Sequence, residues 1–114
     1  MLPYSTQLKP TMSVFAEKIY QQLKKVPKGR VTTYGFLAKS IGSKAYRAVG
    51  MVLSKNPYAP IVPCHRVVRS DGKIGGFMGK KTGKTVAKKK RMLEAEGIVF
   101  EGDEVRDFEK VVIR

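Results

Sequence analysis

The sequence feature that most constrains the fold is an amphipathic segment near the middle of the chain. It predicts a helix that starts at a Ser43 cap and ends near Lys55. The apolar residues of this segment recur at spacings of three and four, at Ala45, Ala48, Val49, Val52 and Leu53. The opposite face is expected to be exposed and basic. It carries Lys44, Arg47, Met51 and Lys55.

A second short helix is predicted just before this one. Residues 34–41 fit two helical turns ended by Gly42, after a β-leaning stretch at residues 30–33. Two short helices joined by a tight glycine-containing turn, the second with a basic outer face, are typical of a DNA-binding helix-turn-helix. The alternative is an ordinary helical hairpin whose outer face is merely solvated.

The N-terminal part of the chain predicts one more helix. Apolar residues at helical spacing place it over residues 13–25, with Thr11 or Ser13 as its cap. Residues 1–10 show no period, and we expect a loosely attached arm there.

The C-terminal part predicts a helix over residues 84–96, ended by Gly97. Its basic run at residues 88–91 is interpreted as a solvated or phosphate-facing surface. Residues 98–108 resemble a terminal hairpin. We therefore expect one domain over residues 1–114, mainly α with a small β component and of a winged-helix-like helix-turn-helix fold.

The distribution of charge indicates a polyanionic partner. The formal net charge is +14, and residues 1–91 hold 20 Lys and Arg against only Glu17 and Asp71. Residues 92–114 have a net charge of −4. A basic body of this kind attracts nucleic acid, although a highly soluble protein with a solvated basic surface is the alternative.

Several classes of protein are excluded by what the sequence lacks. One Cys cannot form an intrachain disulfide, and one Cys with one His cannot supply four zinc ligands. No glycine-rich nucleotide fingerprint follows a clear strand. No apolar run approaches the roughly 20 residues of a membrane helix. We expect a soluble intracellular protein, cytoplasmic or nucleoid-associated, that uses no metal and no cofactor.

The chemistry of the chain is expected at Cys64 and His65, its only cysteine and only histidine. Pro57, Pro60 and Pro63 precede them and predict a stiff, extended loop. A thiol with a pKa of about 8.5 needs a base at neutral pH, and His65 acting through a water is the candidate, with a carboxylate to orient it. The alternative is an inert buried cysteine beside a structural histidine.

Five motifs in register resemble the catalytic C-terminal domain of O6-alkylguanine-DNA alkyltransferases over about residues 13–97. They are the run Arg30-Val31-Thr32-Thr33-Tyr34-Gly35-Phe36-Leu37-Ala38, then Arg47-Ala48-Val49-Gly50, Asn56-Pro57, Pro63-Cys64-His65-Arg66-Val67-Val68 and Glu96-Gly97. The resemblance implies a monomer that binds double-stranded DNA in the minor groove. It also implies flipping of O6-alkylguanine and irreversible transfer of the alkyl group to Cys64.

The resemblance also implies a role for each matched residue. His65 would take the proton of Cys64 through a water, Glu96 would hold His65, and Tyr34 would donate to the leaving guanine. Flipping and binding of the nucleotide would fall to Arg47, with Lys44, Ala48 and Gly50. Organisation of the loop would fall to Asn56, with Pro63 and Arg66. The base pocket would be formed by Val67, Phe77 and Met78.

Each of these roles has a structural alternative. Tyr34 fits a core or capping aromatic residue, Glu96 a solvated residue at a helix end, and Asn56 a helix stop signal. Arg47 also fits a phosphate contact.

Two features depart from the family. Its N-terminal domain of different fold is expected to be absent, and Phe77-Met78 replaces the tyrosine and serine of many relatives.

The functional alternatives are an alkyltransferase-like protein that binds the lesion without transfer, and a Cys-His hydrolase. Alkyltransferase-like proteins lack the cysteine that this motif has.

Overall fold

A computed structural model describes residues 13–114 of the chain. The predicted arm at residues 1–10 and the alternative cap Thr11 lie outside the described residues. Across the part that is described, no helix is long and apolar enough to cross a membrane.

The first helix, α1, spans Val14–Leu23. Ser13 caps it, because its hydroxyl accepts from the backbone N–H of Ala16 at 3.1 Å. The second helix, α2, spans Tyr34–Ser40 and is capped in the same way by Thr33. Both predicted helices are confirmed. Each ends earlier than expected, at Leu23 and at Ser40.

The third helix, α3, spans Tyr46–Ser54 and completes the helix-turn-helix with α2. The predicted cap at Ser43 is wrong: its hydroxyl accepts from the N–H of Ala45, ahead of the helix. The predicted apolar stripe is buried at Val49 and Leu53 and half-buried at Val52, whereas Ala45 and Ala48 are exposed. The helix begins at Tyr46, two residues later than a Ser43 cap implies, so Ala45 lies ahead of its first turn.

Three short strands form a parallel sheet. They are Val31–Thr33 (β1), Val67–Val68 (β2) and Val112–Ile113 (β5), and their order in the sheet is β2, β1, β5. The predicted terminal hairpin is confirmed as Phe100–Glu101 (β3) against Glu104–Val105 (β4). A four-residue helix, Phe108–Val111 (α5), then leads into β5. The protein is mainly helical with a small sheet, and its helix-turn-helix-like fold agrees with the expectation.

The core has two parts that meet along the sheet. One lies between α1, α2 and α3, and includes Ile19, Leu37, Val49 and Cys64. The other is formed by the sheet, the last long helix and the terminal hairpin, and includes Leu93. Cys64 is thus placed where the helix-turn-helix packs against the sheet.

The last long helix, α4, spans Lys84–Ala95, and one of its lysines contradicts the predicted basic surface. Lys89 is 0% exposed, and its Nζ donates to the carbonyls of Val67, Ile74 and Gly76 at 2.6, 2.6 and 2.9 Å. Burial lowers the pKa of Lys89 to about 7. Three carbonyl acceptors nevertheless match the three N–H groups of an ammonium, so the geometry suits the charged form.

Candidate active site

Cys64 lies in a single 3-10 turn formed by Cys64–Arg66. The prediction of an extended loop ahead of it is wrong. Residues 57–61 form compact turns, and the backbone N–H of Cys64 donates to the carbonyl of Val62 at 2.9 Å. Strand β2 follows at once and pairs with β1, which holds the turn at the edge of the sheet.

Asn56 ties this loop to the end of α3. Its side chain is buried, and its Nδ2 donates to the carbonyl of Val62 at 2.7 Å. Its Oδ1 accepts from the N–H of Tyr58 at 2.9 Å. One buried amide therefore holds both ends of the loop, which continues through the buried Pro63 into the Cys64 turn.

A cavity of about 530 Å³ opens beside Cys64. Its volume is within the range of about 300–1,000 Å³ typical of small-molecule sites. Tyr34, Gly50, Phe77 and Met78 are among the residues that line it with Cys64. The thiol therefore has access to a space that holds a small ring system, although Cys64 itself is only 6% exposed.

The structure does not place Val67 in this cavity, contrary to the expectation from the resemblance. The side chain of Val67 is fully buried in the core. Its N–H donates to the carbonyl of Cys64, and its carbonyl accepts from Lys89. Both backbone groups therefore have a hydrogen-bond partner within the protein.

The carboxylate of Glu96 connects His65, the residue after Cys64, with Arg66. Nε2 of His65, which is buried, lies 2.9 Å from Oε2 of Glu96. Arg66 donates to both oxygens of the same carboxylate, from Nε at 2.9 Å and from Nη2 at 2.8 Å. Its Nη1 donates to the carbonyl of Val26 at 2.9 Å. The arginine assigned to loop organisation thus binds the carboxylate that binds the imidazole.

The pKa values of this group follow from burial and from these contacts. Burial raises the pKa of the Cys64 thiol, and the Asn56 hydrogen bond and the Lys89 charge oppose this. Burial lowers the pKa of His65 below its ordinary value, against the opposing effect of Glu96. Burial alone would raise the pKa of Glu96, but hydrogen bonds from Arg66 and His65 lower it. At neutral pH this arrangement is a thiol, a neutral imidazole and a carboxylate.

Because Nε2–H of the neutral imidazole donates to Glu96, the lone pair is left on Nδ1. The arrangement is therefore a base held in one tautomer. Among residues 13–114, no three His, Cys, Asp or Glu side chains group in a way that could hold a metal ion.

Tyr34 opens α2 and lines the cavity beside the loop that follows β2. Its hydroxyl donates to the carbonyl of Gly76 at 3.4 Å, which is the same carbonyl that accepts from Lys89. Burial, and secondarily the negative charge that Cys64 can carry, raise the pKa of Tyr34. The phenol therefore keeps its proton at neutral pH and can act as a donor.

The outer face of α3 borders the cavity. Lys44, Arg47 and Ala48 are exposed, as expected for a binding surface. Gly50 is half-buried and lines the cavity, and a Cβ added there would meet no atom within 4 Å. The helix that presents Arg47 thus also forms part of the wall facing Cys64.

Lys89 is the residue near the site that the sequence interpretation missed. A signal was present: Lys89 lies three residues after Val86 and four before Leu93, on the apolar face of α4. Because its neighbours in the run are also cationic, the helical spacing of Lys89 was not recognised. This position also accepts a buried lysine only because β2 supplies one carbonyl, that of Val67, and the loop after it supplies two, which the sequence does not reveal.

Known proteins are similar to this chain in sequence and in fold. The family model of the 6-O-methylguanine DNA methyltransferase DNA binding domain matches residues 14–98. A methylated-DNA–protein-cysteine methyltransferase of Methanosarcina acetivorans is 44% identical over 75 residues, which are 65% of this chain and 48% of that protein. The chain spans about half the length of the curated relatives it matches.

Two solved structures show the similarity of fold. S. pombe Atl1, in complex with damaged DNA containing O6-carboxymethylguanine, superposes with a TM-score of 0.76 at 27% identity, over 90% of this chain and 97% of that one. The O6-methylguanine-DNA methyltransferase of Pyrococcus kodakaraensis superposes with a TM-score of 0.65 at 43% identity, over 76% and 48%. On this evidence, the chain belongs to the family of the 6-O-methylguanine DNA methyltransferase DNA-binding domain.

Proposed function

We propose that this chain corresponds to the catalytic C-terminal domain of its family and repairs double-stranded DNA as a monomer. It transfers the alkyl group of O6-alkylguanine irreversibly to its own Cys64. The observation that carries the proposal is the position of Cys64: it lines a cavity large enough for a small ring system, and the next residue in the chain, His65, is paired with Glu96.

The nucleophile is generated at the moment of reaction. The raised pKa of Cys64 means that the thiol predominates at neutral pH, so a base is needed. The lowered pKa of His65 keeps the imidazole neutral, and Glu96 leaves its Nδ1 lone pair free to accept the proton through a water. Arg66 keeps the carboxylate in place for this task.

Protonation of the leaving group is assigned to Tyr34. As the sulfur–carbon bond forms, the bond from that carbon to O6 breaks, and guanine departs with an extra electron pair. The hydroxyl of Tyr34 lies in the same cavity and donates a proton to the guanine, which lowers the barrier to departure. Tyr34 then regains a proton from solvent.

The DNA-facing surface is assigned to the outer side of α3. A guanine inside the duplex cannot reach Cys64, so the nucleotide must be flipped out at a cost of a few kcal/mol. Arg47 fills the vacated place in the stack, while Lys44 contacts phosphate and Ala48 lets the helix approach the groove closely. Gly50 leaves room for the base at the entrance of the cavity.

The test is the intact mass of the protein after incubation with a duplex containing O6-methylguanine. We expect a gain of one methyl group, mapped to Cys64, the chain's one cysteine, with one turnover per molecule because the thioether formed is stable to water and to thiols. Cys64→Ser is the control, and it should bind the same duplex without a gain in mass. A methyl group on another residue, or none, contradicts the proposal.

Lesion binding without transfer is the second candidate. The superposition on Atl1, which covers nearly the whole of both chains, favours it. Selective binding of the O6-methylguanine duplex with no change in the mass of the natural chain would establish it.

A further inference from the structure

The loop after β2 ends in a tight hairpin turn beside Cys64. The N–H groups of Phe77 and Lys80 each donate to the other's carbonyl, at 2.8 and 2.9 Å. The two central residues, Met78 and Gly79, have φ angles of 50° and 83°. Both are in the left-handed region, as a type I′ turn requires.

A methionine is an unfavourable residue in this turn. Glycine, asparagine and aspartate adopt the left-handed region at much lower cost than a long side chain. Backbone strain of this kind is retained mostly where the side chain serves a function. The contacts of the Met78 side chain therefore indicate what it contributes.

The side chain of Met78 reaches the nucleophile. Sγ of Cys64 lies 3.8 Å from Sδ of Met78, and the thiol donates to the thioether. Met78 is 40% exposed and lines the same cavity, whereas Cys64 is 6% exposed. A reacting carbon must come within about 3.5 Å of Sγ, so the methionine lies next to the position of the alkyl group.

The backbone beneath Met78 is well anchored. Lys89 donates to the carbonyls of Ile74 and Gly76, and the two hydrogen bonds between Phe77 and Lys80 close the turn. A larger group near Sγ is therefore accommodated by rotation of the methionine side chain. Its three rotatable bonds and polarisable sulfur suit that purpose.

We propose that Met78 is the specificity-determining residue for the alkyl group: it covers the Cys64 thiol when no lesion is bound and forms an adaptable wall around alkyl groups larger than methyl. This role rests on the proposed function. The specificity role is assigned to a thioether side chain, at a position where this chain departs from many of its relatives.

The covering of the thiol is tested without DNA. Cys64 is the only cysteine, so the rate of its alkylation by iodoacetamide, followed by intact mass, reports on this thiol alone. Met78→Ala and Met78→Gly should both react several-fold faster than the natural chain. The glycine variant relieves the backbone strain and the alanine variant keeps it, so a common increase assigns the effect to the side chain. Val99→Ala, at an exposed site in the 98–100 segment, is the control and should react at the natural rate.

The wall is tested with two duplexes, one containing O6-methylguanine and one O6-benzylguanine. Met78→Ala should raise the benzyl-to-methyl rate ratio, and the stiffer Met78→Leu should lower it, each by about tenfold. Unchanged iodoacetamide rates in both small variants mean that Met78 does not cover the thiol, and an unchanged ratio means that it is not the wall. If the natural chain transfers neither group, the proposed function and the specificity role both fail, while the iodoacetamide rates alone still decide the covering role.

Discussion

Oε2 of Glu96 lies 2.9 Å from Nε2 of His65, although the two residues are 31 positions apart in the sequence. The same oxygen accepts from Nη2 of Arg66 at 2.8 Å. A carboxylate shared in this way contributes both to the stability of the fold and to the protonation state of the imidazole.

Replacing Glu96 by Gln should destabilise the protein. The change leaves the Arg66 guanidinium without its charge partner, and we expect a loss of about 2 kcal/mol in the free energy of unfolding because the pair is partly exposed. Urea unfolding measures this. Glu94→Gln, at an exposed position on α4, is the matched control and should stay within about 0.5 kcal/mol. Equal losses in the two variants would mean that the ion pair is not what stabilises this region.

The acid limb of the transfer rate should lie below pH 6.5. The base must be neutral His65, whose ordinary pKa is about 6.5, and burial lowers that pKa in the folded protein. Single-turnover rates against pH measure the limb. Glu96→Gln should move it further down, because Glu96 opposes the effect of burial on His65. A limb at or above pH 6.5 contradicts the assignment of His65 as a neutral base.

The same shift in His65 predicts a loss of stability in acid. As pH falls below 6.5, the unfolded chain takes up a proton that the folded chain does not yet bind. The contribution of His65 to the free energy of unfolding therefore decreases as pH falls through 6.5 and levels off below the folded-state pKa. Urea unfolding over this pH range should show a smaller decrease in His65→Gln than in the natural chain, and equal slopes would exclude His65 as the source.

Arg47→Ala should slow repair in duplex DNA far more than reaction with the free base. Flipping costs a few kcal/mol, so losing the residue assigned to stabilise the flipped state should cost about tenfold or more in rate. Free O6-benzylguanine needs no flipping and should react at an unchanged rate. An equal effect on the two substrates would show that Arg47 does not act through flipping.

Lys89→Met should destabilise the protein by about 2–4 kcal/mol. The methionine fills a similar volume but removes the Nζ donor from three carbonyls, of which that of Gly76 keeps the hydroxyl of Tyr34 as a partner. Lys88→Met is the matched control, since Lys88 is exposed on the same helix and should change stability by no more than about 0.5 kcal/mol. Similar values for the two variants would indicate that water replaces the lost donor.

Sequence patterns were sufficient to predict the four longer helices, α1 to α4, but not the four-residue α5. Val49 and Leu53 recur at the period of a helix and are buried as that period requires, which is why α3 was predictable. The start of α3 was not, because Ser43 has the residue type of a cap while its hydroxyl bonds to Ala45 ahead of the helix. Local signals identify an element better than they identify its first residue.

Contacts between distant segments were beyond the reach of sequence patterns. The pairing of β5 with β1 joins residues about 80 positions apart, and two-residue strands leave almost no alternation to detect. The burial of Lys89 depends in the same way on carbonyls from β2 and from the loop that follows it. By contrast, the proximity of Cys64 to His65 is local, and the position of Glu96 followed from the family resemblance alone.

The carboxylate of Glu96 reaches His65, Arg66 and, through Arg66, the carbonyl of Val26 after α1. A lineage that altered this glutamate would lose the reaction and loosen the scaffold in one step, and could not inherit one defect without the other. The thiol of Cys64 lines the cavity and donates to the thioether of Met78, so its replacement disturbs the scaffold less. The easier evolutionary route from a protein that repairs a lesion to one that only recognises it therefore runs through the cysteine.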